Sequence, residues 1–169
     1  MAEINEQVVI DAVTLRLREC FPAANISMEE PPQDFMPDPE LEAGAFVVRA
    51  LPSSERHDTG LWQADNSGPP MGTRHRRDMT MEICYFPQDN SRAREECTAV
   101  KESLLRGLAL IQTPGGDYLS GRNRQGGISD GVLVFTVAYP HFIRTDQPQP
   151  TMQSINFNSG KETNNAENE

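Results

Sequence analysis

The chain has 169 residues, enough for one domain of ordinary size and too few for two joined by a linker. Apolar residues make up 37% and net charge is −10, a balance that argues against tight duplex binding, which needs dense Lys and Arg to release phosphate counterions. Three cysteines, Cys20, Cys84 and Cys97, without a C-x-x-C pair suggest neither a disulfide framework nor a zinc site, and with no apolar run near 18 residues and no signal-like start, no membrane partner is expected.

Val9, Val13 and Leu17 recur every four residues between Ile4 and Phe21, which predicts an amphipathic helix stopped by Pro22. Ile26 and Met28 alternate with polar neighbours as a short strand does. A proline-containing loop follows from Pro31 to Pro39, then Ala45 to Leu51 reads as a second strand between Gly44 and Pro52. Residues 52–77, with Gly60, Gly68, Pro69, Pro70 and Gly72, lack periodicity and are expected as a long projecting loop or a hairpin extension.

Met79, Met81, Ile83 and Tyr85 alternate as a half-buried strand requires. Ser91 is placed to cap a second helix, with Glu95 and Glu96 in its first turns and Cys97, Val100, Leu104, Leu108 and Ile111 as its stripe. Thr113 to Gly116 end it. Residues 120–127 read as turns after a short strand at Tyr118 and Leu119. Val132 to Tyr139 is then a long strand apolar on both faces, as for a central strand or one covered by a neighbouring subunit. This order predicts a single α+β domain over 1–144, a mostly antiparallel sheet of four or five strands with two helices on one face. Residues 145–169 hold only Met152, Ile155, Phe157 and Ala166 as apolar side chains and read as an extended polar C-terminal tail.

The search for chemistry turns up structural explanations. His57, His75 and His141 have no spacing that lets two of them bind one metal from a helix. Ser129 and Asp130 have no histidine with an assigned place beside them, and a tight turn accounts for Asp130 and Gly131. The glycines from Gly115 to Gly127 form no phosphate loop, and Cys84 and Cys97 fall on a strand and a helical stripe where buried thiols are common. Neither catalytic residues, nor a metal, nor a cofactor is expected. One group stands out in an acidic chain: Arg74, His75, Arg76 and Arg77. It is either a solvated strand entry or a salt-bridging surface between subunits or rings, with Arg92 and Arg94 adding to it; without interleaved aromatics it is a poor DNA site. Ile155 and Phe157 are candidate anchors of the tail on a partner.

The landmarks then fall in a recognisable order. An N-terminal helix leads to a short strand and the loop Pro32, Gln33, Asp34, Phe35 with Pro37 and Pro39, followed by the extended run Ala45 to Leu51. A basic stretch runs into a strand ending Tyr85, Phe86, Pro87, then a Glu-rich helix, and Asp130, Gly131, Val132 and Leu133 open a strand that closes on Tyr139 with Phe142 after it. Over residues 4–144 this succession resembles the bacteriophage tail terminator family. The resemblance implies a non-enzymatic subunit of the virion, assembled in the host cytoplasm into a hexameric ring on the head-proximal end of the tail tube. It further implies partners in the tube protein, the neck or head completion protein, and the sheath where the tail contracts. Six copies carry about −60 formal charge, which suits a lumen that DNA crosses without specific binding. The alternative structural reading is another head-tail joining or neck ring protein; a small-ligand module or enzyme is a third.

Overall fold

The computed structural model describes residues 4–28, 44–62 and 72–146. Helix α1 spans Glu6–Cys20. Asn5 caps it by accepting a hydrogen bond from the Val8 N–H at 3.0 Å, and the Phe21 N–H closes its last turn on Leu17 O just before Pro22. Its stripe of Val9, Ala12, Val13 and Leu17 is fully buried, as a four-residue recurrence dictates.

Strand β1 (Asn25–Ser27) pairs in parallel with β2 (Ala45–Ala50). β2 and β3 (Ser54–Trp62) lie end to end along one edge of β4 (Gly72–Phe86), both antiparallel to it. The Leu51 N–H bonding to Thr80 O at 2.8 Å carries the ladder across the junction. The other edge of β4 pairs with β8 (Val132–Asp146) from Gly72 to Tyr85, and β7 (Arg122–Ser129) closes the order β1-β2-β4-β8-β7. Helix α2 (Ala93–Gly107) follows a 3-10 turn at Asn90–Arg92, and β5 (Leu110–Gln112) pairs with β6 (Tyr118–Ser120) in a separate two-stranded hairpin.

The fold is thus α+β with a mostly antiparallel sheet, and the six-stranded main sheet exceeds the four or five strands expected. Period-two alternation decides which face is covered. Met79, Met81, Ile83 and Tyr85 of β4 and Leu133, Phe135, Val137 and Tyr139 of β8 join Val9, Val13 and Leu17 of α1 and Cys97, Val100 and Leu104 of α2 in one cluster. Phe46 sits between Phe21 and Tyr85, ring centroids 4.9 and 4.7 Å away.

Several elements depart from their sequence reading. Residues 52–77 contain β3 and the first half of β4, the hairpin form of the expected extension. Residues 120–127 are largely strand: β7 hides behind turn-forming residues because a Cβ on Gly126 would meet Phe135 Cδ2 of β8 at 2.9 Å and Lys101 of α2 at 3.2 Å, and because the pairing shifts between Arg122 and Gln125, where Asn123 has φ +50°. Asp89, not Ser91, caps the start of the second helical segment, accepting from the Ser91 N–H and hydroxyl. The helix ends at Gly107, so Leu108 and Ile111 stay in the core from a C-cap and from β5.

Candidate assembly surfaces

The upper half of β4, with β3 on one side and the end of β8 on the other, forms a three-stranded ribbon beyond the helix-covered sheet. Cross-strand partners share a face, so register sorts its side chains. Arg76 is opposite Arg56 and Phe142, and Arg74 is opposite Asp58 and Arg144 in register; Arg56, Arg74, Arg76 and Phe142 point away from the helices. Arg77, opposite Glu55 and His141, lies on the helix side.

Local contacts follow that division. On the outer face the Arg74 guanidinium lies 4.4 Å from the centroid of the Phe142 ring, which is 56% exposed. Arg76 Nε donates to Asp78 at 2.8 Å. On the inner face Arg77 bonds Glu55 through Nε and Nη2, at 2.8 and 2.5 Å. Beside it the imidazole of His141 is buried without a well-formed hydrogen bond for either ring nitrogen. Burial first, and Arg77 second, push its pKa below the ordinary histidine value.

The basic group is therefore two features rather than one: Arg74 and Arg76 on the outside, Arg77 in an ion pair on the inside. Arg92 and Arg94 do not join it. They lie past Phe86 at the start of α2, and the ten residues of β4 from Arg77 to Phe86 span about 30 Å. Ile155 and Phe157 lie outside the described residues. Phe142 is distant in sequence from the arginines and comes beside them only through the pairing of β8 with β4.

A second surface lies on the helix side. Leu15 of α1 and Leu110 and Tyr118 of the β5–β6 hairpin, between 50% and 65% exposed, line a groove of about 360 Å³. The opposite side of that hairpin, Ile111 and Leu119, is buried. The main sheet also has open edges among the described residues. β3 and β7 are each paired on one side only, and β7 meets β8 no further than Ala138.

The residues weighed for chemistry are accounted for by structure. Gly127, Ser129 and Gly131 have the G-x-S-x-G spacing of a nucleophile elbow, but an elbow turns from a strand into a helix. Here Ser129 ends β7, and Asp130 and Gly131, with φ +50° and +77°, turn the chain back into antiparallel β8. Burial raises the pKa of both Cys84 and Cys97, the opposite of an activated thiol. Among the described residues no three His, Cys, Asp or Glu side chains are placed to hold a metal.

Charge is distributed unevenly. The described residues carry fourteen acidic and fourteen basic side chains, so the whole net charge of −10 lies on residues 1–3, 29–43, 63–71 and 147–169. Six of those acids, Glu29, Glu30, Asp34, Asp38, Glu40 and Glu42, fall in 29–43 without one Lys or Arg. The acidity of the chain is thus concentrated largely in one segment, and the described sheet and helices together carry no net charge.

Against known proteins, a family model described as phage tail terminator protein matches residues 8–151. No curated protein matches. Among solved structures, the sheath/tube terminator of an extracellular contractile injection system in its extended state is 14% identical, over 91% of this chain and 64% of that one, with TM-score 0.49. Another solved chain is 13% identical over 87% of this chain and 100% of its own, with TM-score 0.33.

Proposed function

We propose a specific task for this chain, which belongs to the phage tail terminator family and so is a structural component of the virion tail: six copies close as a ring on the last ring of the tail tube, stop its growth, and present their other face to the neck. The observation that carries the reading is the ribbon of β3, β4 and β8, long, polar on its outer face, and bounded by strand edges that the described residues leave open. A head-to-tail interface that closes into a ring gives every such edge a partner, whereas an isolated subunit leaves it as a template for uncontrolled pairing.

A stopper requires one face complementary to the tube and another that differs from it, and the two faces of this subunit differ. The helix side carries a groove in which Leu15, Leu110 and Tyr118 lie among Arg16, Glu19 and Gln112, while the outer face of the ribbon is arginine-rich with an exposed Phe142. A described body without net charge suits DNA passing through the lumen without specific binding. Sheath contact belongs to the proposal for a contractile tail only, and no catalytic step forms part of it. Light scattering and electron microscopy of the purified protein, alone and with tail tubes, test the reading. Rings, or caps on tube ends, are expected; a strict monomer that never sits on a tube end contradicts it.

A further inference from the structure

We propose that the outer face of the ribbon around Arg74, Arg76 and Phe142 is a docking surface for the acidic segment 29–43 of a second copy of this chain. The inference rests on the ring reading and names one of its contacts.

Three observations carry it. The face is chemically specific: two arginines and an exposed aromatic ring, with Arg56 paired to Arg76 on the same side. Arg76 holds Asp78 through Nε and keeps 44% of its side chain exposed, so it can take a further carboxylate. The complementary charge is concentrated in one place, since residues 29–43 hold six carboxylates and no base, interleaved with Phe35, Met36 and Leu41. An acidic peptide with apolar residues matches arginines set around a phenyl ring.

Reach then selects the second copy. The segment is anchored at Met28, which follows β1, and at Gly44, which precedes β2, and its midpoint Met36 is eight residues from each. Fully extended, eight residues span about 28 Å. Ala45 pairs with Phe86, and Arg74 lies twelve residues up β4 from there, about 40 Å away. Within one chain the limb from Gly44, which starts beside Phe86, would have to be drawn taut to bring even one carboxylate near Arg76. A neighbouring copy delivers all six without that cost in chain entropy.

The test uses the full-length protein in two experiments. In the first, Arg76→Lys introduces an amine, and a carbodiimide couples it to whichever carboxylates touch it in an equal mixture of ¹⁵N-labelled and unlabelled protein. Peptides joining position 76 to residues 29–43 across the two isotopes are expected; links confined to one isotope, to other segments, or absent from assembled protein overturn the inference.

In the second, Arg74→Glu with Arg76→Glu should weaken self-association at least about tenfold, as should raising salt. Mixing that variant with a chain whose six acids are replaced by lysine should restore association. Circular dichroism of each variant checks that the ribbon still folds. Association of normal strength and size in the reversed-charge variant sinks this inference and leaves the ring standing, whereas a wild-type protein that stays monomeric on tubes removes both. DNA binding by the wild type that the reversal abolishes, with association unchanged, assigns the face to nucleic acid instead.

Discussion

Tyr85 is the residue on which the junction of sheet and second helix depends. Its buried hydroxyl donates to Glu96 in the first turn of α2, and burial together with that bond raises the phenol pKa. Removing the hydroxyl leaves the carboxylate short of a donor, so Tyr85→Phe should cost about 1–3 kcal/mol in urea unfolding. Gly44 makes room for this contact, because a Cβ there would fall on the Tyr85 phenol. Gly44→Ala should therefore destabilise through the same pair, and its effect should shrink in a Tyr85→Phe background. His141 gives a pH signature. Its folded pKa is depressed by burial and Arg77, with Glu55 and Asp78 opposing weakly. As pH falls below about 6.5 the unfolded chain therefore takes up a proton that the folded chain refuses. Its contribution is fully present above that pH and is lost on acidification toward the folded value. Tm measured from pH 7.5 to 5 should fall less steeply in His141→Leu than in wild type; parallel slopes would remove the assignment.

At the scale of elements, the packing of β7 against β8 and α2 leaves little room at Gly126. A side chain at Gly126 meets Phe135 and Lys101, whereas one at Gly127 meets nothing within 4 Å. Gly126→Val should lower stability by about 1–3 kcal/mol through overpacking, and Gly127→Ala should be neutral or slightly stabilising; equal effects at both sites would contradict the packing described. The same contact explains what the sequence concealed. α1, β2 and the core halves of β4 and β8 were legible because apolar residues recurred at the period of their own geometry. β7 was not, since its place beside a helix demanded glycine, which reads as turn. β3 and the upper half of β4 were obscured because a ribbon beyond the core has no apolar face to alternate. In the candidate surfaces, the arginines were visible as a group. Their division onto two faces, and the arrival of Phe142 from a strand over sixty residues away, depended on register that no local pattern reveals.

For the whole molecule, the described residues carry no net charge and the residues outside them carry all of it. Assembly governed by such charge should respond to ionic strength over the range where the Debye length falls below about 10 Å. The central claim is that this protein ends tail growth, and the most direct measurement is the length of tails assembled in infected cells with and without it, read by electron microscopy. Tails of uncontrolled length in its absence, restored to one length by supplying the protein, are the predicted result. Tails of normal length that merely fail to join heads would contradict the claim and place the subunit in the neck.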